Sequence, residues 1–189
     1  MKIMAFGIGI LTAFITMNAV AEIMTEEQEK AYEQQKKQRK KEAFVKAPDV
    51  IASYANSIGC IFNLNPENIV EFPEGGNRLF AVFSIDVGCS GGSNMSRPVF
   101  VELELSIASM QYYINFEHSG PSQTPMSIPQ TVEKIYVKDE KLWYSALEHD
   151  WNKDGICCPS VPVTAELKFE NGMWIGVPVD LPGNKKTRN

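Results

Sequence analysis

Hydrophobic and polar positions change their period along this chain, and each change marks an expected element. After Met1-Lys2, an uncharged and largely apolar run extends from Ile3 to Met17. It is shorter than the roughly 20 residues a helix needs to cross hydrocarbon. Asn18-Ala19-Val20-Ala21 closes it with small residues at the two positions a signal peptidase reads, ahead of Glu22. Residues 1–21 therefore read as a secretory signal peptide. Thr25-Glu26-Glu27-Gln28 is a capping-box pattern, in which hydroxyl and amide satisfy backbone groups that a helix start leaves unpaired. Glu26, Glu27 and Glu29 sit at the positive end of that helix and Lys40 and Lys41 near its negative end, an arrangement the macrodipole favours. Only Ala31 and Tyr32 precede Phe44 and Val45 as interior apolar positions, too few for a continuous stripe. Residues 22–46 are thus expected to form a charged helical arm.

Beyond Pro48 the pattern becomes amphipathic. Val50, Ile51, Tyr54, Ala55 and Ile58 fall on one helical face, which predicts a second helix stopping at Gly59. The remainder has the period of strands. Leu79–Val87 and Val99–Ile107 are rich in β-branched and aromatic residues, and the second alternates Val99, Val101, Leu103, Leu105 and Ile107 against Phe100, Glu102 and Glu104. Met110–Phe116 supplies a further strand before the Ser- and Pro-rich loop 119–129. Thr131–Val137 and Leu142–Glu148 flank Lys138-Asp139-Glu140-Lys141 as a hairpin, and Val163–Phe169 and Met173–Val177 flank Glu170-Asn171-Gly172. Asn-Gly is the strongest short hairpin signal. The expected fold class is α+β: N-terminal helices followed by a mostly antiparallel β-sheet of about six strands packed on the second helix. Residues 47–180 form one domain in this reading, and residues 181–189 a basic disordered tail.

The formal charge of −5 includes Lys2, the only charge in the leader, so the mature chain is mildly acidic. Its basic clusters are Lys36–Lys41, which follows acids on the same helix, and Lys185, Lys186 and Arg188 in the tail. Without interleaved basic and aromatic residues this composition predicts no nucleic-acid partner. After Ala21 no apolar run is long enough to span a bilayer, so the mature product is expected not to be membrane-embedded, and to be periplasmic or secreted. Export also decides how the sulfur is read. An oxidising compartment and an even count make Cys60, Cys89, Cys157 and Cys158 expected disulfide residues. Either Cys60 bonds Cys89 while Cys157 and Cys158 close a vicinal ring, or each of the adjacent pair reaches one distant partner. A thiolate zinc site needs paired spacings that the isolated Cys60 and Cys89 do not supply.

The segment His149–Ser160 carries the densest candidate chemistry. Asp150, Asn152, Asp154 and Gly155 match the first half of a D-x-N-x-D-G calcium loop, where alternate oxygens converge on a hard cation. The twelfth position, where an EF-hand places a bidentate acid, is Val161. Calcium on Asp150, Asn152 and Asp154 is one reading of the segment. An Asp/Asn/Gly-rich turn pinned by a disulfide is the preferred one.

Ile135 to Trp174 runs as strand, short turn, strand to His149, then Asp154, Cys157-Cys158-Pro159-Ser160, a strand and Asn171-Gly172. This resembles a hairpin unit of uncharacterised secreted bacterial proteins with a His…Asp…Cys-Cys-Pro-Thr/Ser signature, with one residue more between His149 and Cys157. The resemblance implies export, a β-rich fold and a vicinal Cys157–Cys158 bridge, and implies no reaction type.

His118 and His149 are the only histidines. His149 beside Cys157 could form a base and thiol pair, although export favours a structural bridge. Gly88–Ser93 has the flexibility of a phosphate loop without its Lys-Ser/Thr. No pair of carboxylates is singled out for glycosidase chemistry. The leading expectation is a noncatalytic binding or inhibitor module acting on another exported protein. Alternatives are a small extracytoplasmic hydrolase or thiol-redox protein, and a calcium-stabilised surface domain.

Overall fold

The computed structural model describes residues 25–72, 76–91, 95–155 and 158–178. The expected leader 1–21 and tail 181–189 lie outside the described residues, as does Cys157. The chain divides after Lys36 into two compact units. In the first, the capping box forms as expected: Thr25 N donates to Gln28 Oε1 at 2.8 Å and Gln28 N to Thr25 Oγ1 at 3.3 Å.

One helix, α1, runs from Glu26 to Ile58 with Pro48 inside it, where two helices were expected. Proline removes the hydrogen bond to the Phe44 carbonyl and costs ~3 kcal/mol in a helix interior. What carries the helix through is a ladder at i, i+4 spacing, Ala43, Ala47, Ile51 and Ala55, all buried. Burying an isoleucine such as Ile51 contributes about 1.5–3 kcal/mol by itself, so the ladder offsets the lost bond. Two of its rungs precede Pro48, and as alanines they carry little hydrophobic signal. Phe44 and Val45, the more obvious apolar pair, stay exposed.

The strands form two separate sheets, which corrects the expectation of one sheet of about six strands packed on a second helix. The first has five strands, β1 (Cys60–Asn63), β2 (Ile69–Glu71), β3 (Arg78–Asp86), β4 (Arg97–Ser106) and β5 (Gln111–Ile114). β1 and β2 pair successive stretches of one edge of β3, and β4 and β5 continue on the other. The second is a four-stranded antiparallel meander, β6 (Thr131–Lys138), β7 (Lys141–Glu148), β8 (Val161–Glu170) and β9 (Met173–Pro178). Two-residue turns close its outer hairpins. Asp139-Glu140 and Asn171-Gly172 all have φ between 51° and 78°, as a type I′ turn requires.

The physical reason for two sheets lies in β3 and β4. Leu79, Ala81, Phe83 and Ile85, with Val99, Val101, Leu103 and Leu105, share one hydrophobic core with the buried ladder of α1. Phe80, Val82 and Phe100 belong to a second core with Ile135, Leu142, Tyr144 and Trp174 of the other sheet. The face of β4 that alternation marked as polar is therefore an inner face, and the order of layers is helix, sheet, sheet. Asn68 ties the two sheets together. It is buried beside a register shift in β6, donating from Nδ2 to the Glu133 carbonyl at 3.1 Å and accepting from Ile135 N at 3.2 Å.

A disulfide joins Cys60 at the start of β1 to Cys89 in the turn after β3, so the crossed pairing does not form. Cys158 is also disulfide-bonded. The adjacent Ile61 and Cys89 itself have φ of 50° and 51°, a region costing on the order of 1–3 kcal/mol for such residues. Closing a loop of sequence separation 29 contributes about 3–4 kcal/mol by chain entropy, enough to hold the strained corner.

Two stability outcomes follow from these ties. Asn68→Ala strands the buried Ile135 N–H and should lower the unfolding free energy by about 2 kcal/mol in urea titration. The double variant Cys60→Ser/Cys89→Ser should lose about 3–4 kcal/mol in the same assay. A loss under half a kcal/mol in either would contradict the role given to that tie.

Candidate ligand cleft

The register of β3 against β4 sets Phe80 directly opposite Glu102, with Arg78 two pairs further along, opposite Glu104. Glu102 thus shares the inner face of the first sheet with Phe100, yet its side chain is only 6% exposed. A carboxylate so placed needs partners. Arg78 Nη1 lies 3.2 Å from Oε1, and His118 Nδ1 lies 3.0 Å from Oε2. The guanidinium of Arg78 in turn sits 4.9 Å above the Phe72 ring.

His118 is brought there by the chain that leaves β5. Asn115 N and Ser119 Oγ donate to the Glu102 carbonyl, and Glu102 N donates to Ser119 Oγ at 2.9 Å, so the segment clasps β4 on both sides of the histidine. From the second sheet, Trp174 Nε1 donates to the His118 carbonyl at 2.7 Å. The imidazole lies 4.2 Å from the Phe169 ring. Its Nδ1 faces the buried carboxylate, which turns Nε2 away from Glu102. Asn115 Nδ2, 3.4 Å from the same Nδ1, is engaged instead with Glu104 Oε1 at 2.8 Å.

These groups border a cleft of about 510 Å³ at one end of the interface between the sheets, where Phe72, Phe80, Phe169 and Trp174 form an aromatic lining. A second ion cluster forms on β7 and β8. Glu166, 14% exposed, receives Lys141 Nζ at 3.2 Å and Lys168 Nζ at 3.5 Å. Burial pushes its carboxyl up, but the ammonium of Lys141, joined by that of Lys168, outweighs burial and holds it below the ordinary carboxylate range. The cleft can thus enclose an apolar body and offer fixed charges at its rim. Among the described residues its lining holds a basic imidazole but no hydroxyl or thiol.

The residues the sequence proposed as sites lie elsewhere. Cys60 and Cys89 come together at the far end of β3 from Arg78. Asp150, Asn152 and Asp154 share the β7–β8 loop, where the carboxylates serve the loop itself. Asp154 Oδ2 accepts from Asp150 N at 2.8 Å and Ser160 N at 2.9 Å, Oδ1 accepts from Ser160 Oγ at 2.7 Å, and Asp150 Oδ1 accepts from Asn152 N at 3.1 Å. Among the described residues no group of three His, Cys, Asp or Glu side chains is placed to hold a metal ion. His149 stacks on the exposed Trp151 at 5.0 Å, away from His118. Arg78, Glu102, His118 and Trp174 were not singled out from the sequence. The available signal was Glu102 two residues from Phe100 on one face of a strand, since a phenylalanine on that face argues against open solvent.

Comparison with known proteins finds no matching family model, no matching curated protein and no matching solved structure. What the fold and the cleft define is a class: a small disulfide-bonded α+β domain. Among its described residues no helix is long and apolar enough to cross a membrane.

The loop carboxylates give a pH dependence. The Ser160 hydroxyl and the Asp150 N–H hold Asp154 below the ordinary carboxylate value, and the Asn152 N–H does the same for Asp150. A lowered folded-state pKa means stability that is present above the unfolded value and is lost as pH falls through the folded one. Unfolding temperature should therefore drop below about pH 4. Asp154→Asn should lower it at neutral pH and shrink the acid drop, and an acid limb identical to the wild type would contradict the assignment.

Proposed function

We propose that the chain is an exported, noncatalytic binding module whose ligand enters the cleft between its two sheets. The observation that carries this reading is the pocket itself: an aromatic lining opening beside side chains already locked by ion pairs, with a volume in the range of small-ligand sites. Export is supported by residues 1–21 and by the disulfide at Cys60 and Cys89, which suits an oxidising compartment. The ligand is a free small molecule or a side chain of another exported protein. His118 supplies an imidazole, and among the described residues the lining offers no hydroxyl or thiol for an acyl-transfer step.

Titration with 4-phenylbutanol, followed by backbone amide shifts, tests the reading. Shifts should centre on His118, Leu167 and Phe169, and Phe169→Ser should weaken binding about tenfold. Shifts confined to another surface, or absent for small aromatic probes generally, would remove the cleft as the binding site.

A further inference from the structure

We propose that the opposite end of the interface between the sheets carries a second site, a groove for a neutral oligosaccharide running from Asn63 and Ser84 past Gln130 to Trp151. Alternation along β3 puts Ser84 on the side of Phe80 and Val82, the side turned to the second sheet. The register places Asn63 of β1 and Pro98 of β4 on either side of Ser84, so this row continues the inner face beyond the aromatic core. A recess of about 330 Å³ lies over the row and is bordered by Ser96, Gln130 and Thr131 as well. The side chains of Asn63, Ser84 and Thr131 make no hydrogen bond to another described residue. Gln130 Nε2 donates to the Ser96 carbonyl at 3.1 Å, which fixes its amide in place.

The lining selects the class of ligand. Its one ionisable side chain is the exposed Glu133, a charge that solvent screens too well to anchor an ion. An apolar ligand would dry the hydroxyls and amides and leave them unsatisfied. Hydroxyls and carboxamides both donate and accept, so the matching ligand is one that is itself rich in hydroxyls. Trp151 supplies the other half of the match. It is 83% exposed, which no packing demand explains, and its ring is stacked on His149 at 5.0 Å and 22°. With Gln130 it lines a neighbouring recess of about 260 Å³, and Gln130 borders both recesses. The groove thus passes from amides and hydroxyls to an indole. A sugar ring is divided the same way, with hydroxyls around its rim and apolar C–H groups on its faces to lie against an aromatic ring. Two successive recesses take more than one ring, hence an oligosaccharide. No residue lining either recess lines the aromatic cleft, so this site stands independently of the cleft reading.

The test titrates the full chain with maltotriose, cellotriose and chitotriose, and with the neutral peptide acetyl-Ala-Ser-Ala-amide, followed by backbone amide and indole N–H shifts. At least one trisaccharide should shift both the Trp151 indole and the amides of Ser84 and Thr131. Trp151→Ala should weaken that binding about tenfold, and Asn63→Ala/Ser84→Ala should weaken it comparably. Both variants change exposed or half-buried side chains, so their unfolding temperatures should stay at the wild-type value, separating lost binding from lost folding. No groove shift from any of the three sugars at tens of millimolar overturns the proposal. So does sugar binding that survives both variants, since it then occurs elsewhere. Tighter binding of the peptide than of every sugar, at the same residues, assigns the groove to a polypeptide and overturns the saccharide reading. Each of these outcomes leaves the aromatic cleft to its own titration.

Discussion

Strands β3 and β4 have apolar side chains on both faces, and that burden requires a layer on each side of them. One face is covered by α1 through Ala43, Ala47, Ile51 and Ala55, small enough for the helix to approach the sheet closely. The other is covered by the second sheet, whose Ile135, Leu142, Tyr144 and Trp174 meet Phe80, Val82 and Phe100. Neither layer suffices alone. Without the helix, eight core residues of β3 and β4 would face water. Without the second sheet, two phenylalanines and a valine would do so. The persistence of α1 through Pro48 follows from the same demand, since interrupting the helix there would uncover half of the face that the strands need.

The cleft is a by-product of how this sandwich ends. Along most of the interface apolar side chains from the two sheets meet, but at the Arg78 end of β3 the inner face changes from Phe100 to Glu102. A carboxylate at that depth is tolerable only with partners, and the sequence provides them from two directions, Arg78 from the neighbouring strand and His118 from the segment beyond β5. Glu166 repeats the arrangement on the facing sheet with Lys141 and Lys168. Each sheet therefore carries an acid whose charge is already balanced.

Two local devices keep the edges of the fold in place. Asn68 supplies an acceptor and a donor to the main chain where β6 slips register, so a single side chain substitutes for a strand at the seam between sheets. At the opposite end the bond from Cys60 to Cys89 holds a corner in which two non-glycine residues adopt left-handed backbone. The β7–β8 loop is stabilised from within, by Asp150 and Asp154 accepting hydrogen bonds from its own residues. In a motif that resembles a calcium loop in sequence, these oxygens already serve the loop's own groups.

Much of the local structure was legible because it is decided locally. The capping box, the face Val50–Ile58, the strands on either side of 138–141 and 170–172, and the hairpin at Asn171-Gly172 all depend on residues within a few positions of one another. The sequence also determined that its sulfurs could pair and that no nucleotide-type motif was complete. Tertiary structure decided the rest. Whether Pro48 ended a helix depended on the sheet beneath Ala43 and Ala47. Whether Phe100 and Glu102 faced solvent depended on a second sheet assembled from residues 131–178. The cleft combines Arg78, Glu102, His118 and Trp174 from four separate stretches of chain, and no periodicity records that meeting, because alternation tells which side of a strand a residue occupies but not what covers that side.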